Sequence, residues 1–156
     1  MRHLTLLTAT LAVLSLAACK GGGDSDDTDG GEEAQSCLST DGESPSVISA
    51  TIECTVQDVS DPPVVTLLVA SVVTDPQGDF TLQSFGDHRF RSYLAANGAM
   101  TNEIDTLICQ PDGNCDSSIP ASQVGVSCGT MDNYYFTVQY ADDEGNLSPE
   151  CRLEIK

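Results

Sequence analysis

This sequence predicts an all-β fold, an antiparallel β-sandwich of seven or eight strands, on three observations. Short segments from Ser46 onward alternate apolar and polar side chains, the period of a half-buried strand. Clusters of Gly, Pro, Asp and Asn separate these segments at short intervals, as the connections of a sandwich do. No repeat at a fixed period runs through the chain, which sets aside solenoids and propellers.

The strands are expected near 47–57, 64–74, 79–85, 88–94, 104–109, 123–128, 134–141 and 150–156. In the first, Ala50, Ile52, Cys54 and Val56 share one face. The second carries a more continuously apolar run, Val64 to Val73, as a central strand would. Asp61-Pro62-Pro63, Asp75-Pro76-Gln77-Gly78, Gly86-Asp87 and Pro111-Asp112-Gly113 supply the turns. Leu94 to Glu103 carries the weakest pattern and reads as a loop or one helical turn. Phe136, Val138 and Tyr140 mark the inward face of the penultimate strand, which ends in Asp142-Asp143-Glu144-Gly145-Asn146. In the last strand Cys151, Leu153 and Ile155 face one way and Arg152, Glu154 and Lys156 the other.

Two of these segments carry a resemblance. Asp75-Pro76-Gln77-Gly78-Asp79 follows a long apolar strand, and Tyr135 to Ser148 runs through Ala141-Asp142-Asp143-Glu144-Gly145-Asn146. This pairing is similar to immunoglobulin-like and fibronectin type III-like domains of bacterial surface proteins. The resemblance implies an immunoglobulin-like sandwich for residues 46–156. The chain has no Trp, so the core tryptophan of antibody domains is absent and that subfamily is disfavoured.

The N-terminus reads as an address. Arg2 precedes an apolar run from Leu4 to Leu16, and small residues lead into Cys19. A charged start, a short apolar stretch and small residues at the cut describe a secretory signal. A spanning helix needs roughly 20 apolar residues, and Lys20-Gly21-Gly22-Gly23-Asp24 ends this run too soon. Leu16-Ala17-Ala18-Cys19 resembles the lipobox of bacterial lipoproteins. That resemblance implies removal of residues 1–18, lipidation of Cys19 and attachment to a membrane of the cell envelope. Lys20 stands where an inner-membrane retention signal shows Asp, so the outer membrane is favoured, with either its periplasmic or its surface face carrying the domain.

Residues 19–45 form an acidic tether rich in Gly and Asp. Up to Ser36 nothing is larger and more apolar than Ala34, so the segment cannot bury enough surface to offset its ordering entropy. A coil of this length averages roughly 25–30 Å, and more when its acids repel. The whole chain holds six Lys and Arg against 24 Asp and Glu, and loss of Arg2 would take its net charge from −18 to −19. Nucleic acid and anionic headgroups are poor partners, since both reward clustered Lys and Arg.

Apart from Cys19, the chain's seven cysteines include Cys37, Cys54, Cys109, Cys115, Cys128 and Cys151. An even number in an exported domain predicts disulfides. Cys109 and Cys115 flank a turn sequence and are the preferred local bridge. Cys54, Cys128 and Cys151 share parity with apolar faces, and Cys37 is expected to reach back and fasten the entrance to the domain. Zinc is the weaker reading, because no Cys-x-x-Cys pair occurs and His88 is the one histidine beyond the leader.

Catalytic motifs are missing: no Gly-x-Ser-x-Gly elbow, phosphate-binding loop or His-Glu-x-x-His helix is present. His88 reads as a surface residue at a turn. The expectation is a non-enzyme. Asp75, Asp79, Asp142, Asp143, Glu144 and Asn146 form a weak candidate Ca²⁺ set, since an immunoglobulin-like topology places their two loops at one end; tight turns use the same residue types, and the turn role is preferred. No other cofactor is expected. The leading function is an envelope-anchored, non-catalytic interaction or structural module whose partner is a protein, a glycan or another envelope component. The alternative is a surface lipoprotein binding a small ligand or carbohydrate through Tyr93, Tyr134 or Tyr135. Adjacent Tyr134 and Tyr135 point to opposite faces of one strand, so at most one of them is available. Inhibition of a protease through the Cys109–Cys115 loop ranks last.

Overall fold

The computed structural model describes residues 36–58, 61–77, 87–105 and 107–156. The leader, Cys19, the tether up to residue 35, the expected strand 79–85 and Asp79 lie outside the described residues. Among the described residues no helix is long and apolar enough to cross a membrane.

The two longest apolar segments make the longest strands, β1 (Ser46–Gln57) and β2 (Val64–Thr74), paired antiparallel along their full length. Six residues separate them, and Pro62 and Pro63 within that gap cannot continue a ladder. β3 (Arg89–Leu94) follows, then β4 (Met100–Ile104), β5 (Asn114–Pro120), the one-turn helix α1 (Ala121–Val124), a 3-10 segment (Cys128–Asn133), β6 (Tyr134–Gln139), β7 (Cys151–Arg152) and β8 (Glu154–Ile155). They assemble as two four-stranded sheets, β5-β2-β1-β8 and β4-β3-β6-β7. The fold is therefore the all-β, disulfide-stabilised sandwich that the alternation predicts. Every described pairing is antiparallel except β1 with β8.

The last segment departs from the expected single strand 150–156. Its first half pairs with β6 and its second half with β1, so the chain changes sheets at Leu153. Leu153 N–H donates to Phe136 O at 2.9 Å, and Lys156 N–H donates to Ile52 O at 2.9 Å, one bond to each sheet.

Two expected strands are corrected. The strand near 104–109 lies earlier, at β4, and residues beyond 104 leave the ladder. Among the described residues Met100 to Ile104 forms an edge strand that pairs with β3 alone, so little apolar character is required of it. The strand near 123–128 is absent. Val124 and Val126 are buried as alternation demands, yet Gly125 has φ 68°, the left-handed conformation that closes α1 and that a strand does not use. The sequence reading missed β5, whose inward side chains are Cys115, Ser117 and Ile119. Asp, Ser and Pro fill the rest, a composition poor in β-formers. Its place against β2 comes from tertiary pairing of Val72 with Asn114 through Thr66 with Pro120.

The core lies between the sheets. Ile52, Leu67, Val69 and Ile119 from one sheet meet Phe90, Phe136, Val138 and Tyr140 from the other, all almost fully buried. Phe90 and Phe136 stack with ring centroids 5.8 Å apart. The apolar face of β1 runs off the sandwich: Ala50 and Ile52 are sealed, while Val56 is half exposed.

Three disulfides close the domain. Cys109–Cys115 ties a turn, Cys54–Cys128 joins β1 to the 3-10 segment, and Cys37–Cys151 joins the segment ahead of β1 to β7. Cys37 also exchanges both backbone hydrogen bonds with Val47, so it extends the first sheet while bonded to the second. Cross-links stabilise mainly by restricting the unfolded chain, and the sequence separations are 6, 74 and 114 residues. Replacing Cys37 and Cys151 by Ser should therefore cost about 4–5 kcal/mol, and replacing Cys109 and Cys115 about 2 kcal/mol. Urea denaturation of the two double variants checks this order; equal losses would show that loop length does not govern them.

Candidate functional site

The acidic loops come first. β2 and β6 both run opposite to the final segment, so their C-terminal ends, carrying Asp75 and Asp142, lie at one end of the sandwich. Each carboxylate is turned into its own loop. Asp142 is nearly buried, and its Oδ1 accepts the N–H groups of Glu144 at 2.9 Å and Asn146 at 2.8 Å. Its Oδ2 accepts Asn146 Nδ2 at 2.9 Å, and Asp75 Oδ1 accepts Gln77 N–H at 2.9 Å. Asp143 and Glu144 are exposed. Among the described residues no group of three or more His, Cys, Asp or Glu side chains is disposed to hold a metal ion, and Asp79 of the weak candidate set lies outside them. The Asp75 and Asp142 carboxylates close turns.

His88 requires a correction too, since it is wholly buried rather than at the surface. Its Nδ1 accepts the N–H of Ala141 at 3.1 Å, and its ring lies 5.3 Å from that of Tyr140. An imidazole nitrogen that accepts a backbone N–H carries no proton of its own. The residue pins the start of β3 to the end of β6 and has no access to a substrate in solvent. Burial drives the Tyr140 phenol well above its ordinary pKa, opposed slightly by the nearby Ser71 hydroxyl. Among the described residues neither hydroxyl completes a hydrogen bond of normal geometry.

The outer face of the second sheet carries an aromatic and ionic ladder. Period two places Arg89, Arg91 and Tyr93 of β3 outward, beside Tyr135 and Thr137 of β6. Tyr93 and Tyr135 stack face to face, 4.8 Å apart and 5° from parallel, and the Arg152 guanidinium lies 5.1 Å from the Tyr135 centroid. Tyr134 points the other way and packs against the core with Phe136. Glu150 Oε1 accepts the hydroxyls of Tyr93 at 2.7 Å and Thr137 at 2.5 Å, and its Oε2 meets Arg91 Nη1 at 3.0 Å. Arg91 Nε meets Glu103 Oε2 at 2.5 Å. Partial burial alone would raise the Glu150 pKa; the hydroxyls of Thr137 and Tyr93 and the Arg91 charge outweigh it and hold the carboxyl below its ordinary value. Burial and the hydrogen bond to Glu150 raise the Tyr93 phenol. This face satisfies itself: its ring faces and acids are spent on each other. A stacked tyrosine pair flanked by arginine offers a carbohydrate edges rather than a broad platform.

The outer face of the first sheet differs. Val64, Leu68, Ala70 and Val72 form an apolar stripe along β2, with Leu68 and Val72 each 40% exposed. Register places Glu53 of β1 and Ser118 of β5 beside Leu68, and Thr51 and Asp116 beside Ala70. These residues and Lys156 line a groove of about 410 Å³, the scale of a small-ligand or side-chain site. The sequence does not reveal it, because β5 is poor in β-formers and the apolar run of β2 reads only as a central strand. Hydrophobic exposure on a central strand becomes visible only once the pairing is known.

No family model, curated protein or solved structure matches the chain.

Glu150 gives a pH signature. Its folded pKa lies below the unfolded value, so the ionised form favours the fold above about pH 4–5, and that contribution fades as pH falls through the folded value. Glu150→Gln should lower stability at pH 7 by under about 1 kcal/mol, because the site is largely exposed. The gap to the wild-type chain should shrink below about pH 4. Urea midpoints across that range measure it, and a gap independent of pH would contradict the assigned partners.

Proposed function

We propose that the chain is a lipoprotein of the cell envelope, anchored through Cys19, whose sandwich is a non-catalytic interaction module held clear of the membrane by an acidic tether. The single observation that carries the reading is Leu16-Ala17-Ala18-Cys19 at the end of a short apolar run. Each buried methylene adds about 0.8 kcal/mol of membrane affinity, and two or more acyl chains give stable attachment. The outer membrane is the proposed destination, from Lys20 after the cysteine.

Three structural features support the module reading. The strand orders, with the parallel β1–β8 contact, are compatible with an immunoglobulin-like arrangement in which β3, β6 and β7 form one sheet and β1, β2 and β5 the other. His88, the one imidazole beyond the leader, serves as an interior acceptor, which leaves a Ser-His or Cys-His mechanism without an accessible base. The solvent-facing side of β2 exposes apolar side chains, as a docking surface does. The carbohydrate reading is weaker, because the outward tyrosines stack on each other.

Expression with an alkyne-labelled fatty acid in a diderm bacterium tests the anchor. The wild-type chain should take up label and sediment with envelope membranes, and Cys19→Ser should do neither. An unlabelled wild-type chain retaining residues 1–18 would overturn the reading.

A further inference from the structure

We propose that the outer face of the first sheet is a docking site for a basic, extended segment of another protein, whose cationic side chains alternate with an apolar one. The inference deepens the interaction-module reading by naming the partner's chemistry, and rests on it.

Charge distribution favours this occupant. On the second sheet the outward acids have local cations: Arg91 lies between Glu103 and Glu150. The first sheet presents Glu53, Asp116 and Glu154 outward, and among the described residues none of these forms a salt bridge. Among the described residues Lys156 is the one cation lining the groove. In a chain of net charge −18, a further acid would be repelled from this face and a cation drawn to it.

Spacing favours an extended segment. Glu53 on β1 and Asp116 on β5 stand on opposite sides of β2, offset by one outward position because Glu53 pairs with Leu68 and Asp116 with Ala70. Two strand spacings and a two-residue offset put their Cα atoms roughly 12 Å apart. Same-face residues i and i+4 of an extended strand are about 13 Å apart, with residue i+2 between them. A segment reading cation-x-apolar-x-cation therefore sets its charges on Glu53 and Asp116 and its central side chain on Leu68 and Ala70. Arg or Lys stems would also cover apolar floor while their heads reach the carboxylates, and Thr51 and Ser118 offer hydroxyls at the rim.

The test uses the full, oxidised chain and a labelled peptide of Arg-Thr-Leu-Thr-Arg repeats, titrated by fluorescence anisotropy. Saturable binding is expected, weakening as salt rises from about 0.05 to 0.5 M. Glu53→Gln with Asp116→Asn should weaken it by about tenfold or more, as should Leu68→Ser. Asp105→Asn with Asp132→Asn changes net charge equally at sites away from the groove and should leave binding unchanged. Equal losses in both double-charge variants would reduce the effect to net charge and overturn the proposal. Absence of binding to the peptide, or equal binding of a Glu-Thr-Leu-Thr-Glu control, would do the same, and so would spermidine binding as tightly at the groove. A cross-linked envelope partner whose capture ignores the groove variants would leave the module reading standing while removing this site.

Discussion

Cys151 occupies the point on which the two sheets depend. It pairs with Val138 in the second sheet, is bonded to Cys37 at the margin of the first, and is fully buried. Two residues later the same chain crosses at Leu153 and joins β1. A sandwich is usually held by the apolar contact between its sheets, which is strong but non-directional. Here one strand and one disulfide fix the relative placement of the sheets, so the interleaving of Ile52 and Leu67 with Phe90 and Phe136 has a defined geometry to fill.

That constraint explains which parts of the fold were legible. β1 and β6 are legible because their inward side chains bury much of the core and burial enforces period two, and β2 is legible from its continuous apolar run. The Cys109 and Cys115 pair was legible from the turn between them, because a short loop leaves few alternatives. β4 and β5 were not legible, since an edge strand is paired on one side and tolerates Thr, Asn, Ser and Asp. Residues 123–128 misled because Val124 and Val126 satisfy alternation while Gly125 turns the backbone out of the strand region. His88 misled in the opposite sense: a polar residue beside Gly86-Asp87 reads as exposed, and only the fold shows the Ala141 N–H it satisfies.

The two outer faces illustrate a second limit. Both derive from the same alternation, and the sequence identifies their residues without saying which strands become neighbours. Pairing β3 with β6 brings Tyr93 onto Tyr135, and Glu150 then gathers two hydroxyls and Arg91. Pairing β5 with β2 sets Asp116 beside Ala70, with no arginine among the described residues lining that side. Cross-strand neighbours make one face self-complementary and leave the other open.

The bond between Cys37 and Cys151 also governs how load enters the domain. A pull on the chain ahead of Cys37 is shared at that residue between the two hydrogen bonds to Val47 of β1 and the covalent bond to β7. Strands drawn from one end normally unzip bond by bond. This domain instead receives tension on both sheets at once, through β1 and through β7. Reduction of that one bond would turn a shear-resistant body into one that peels.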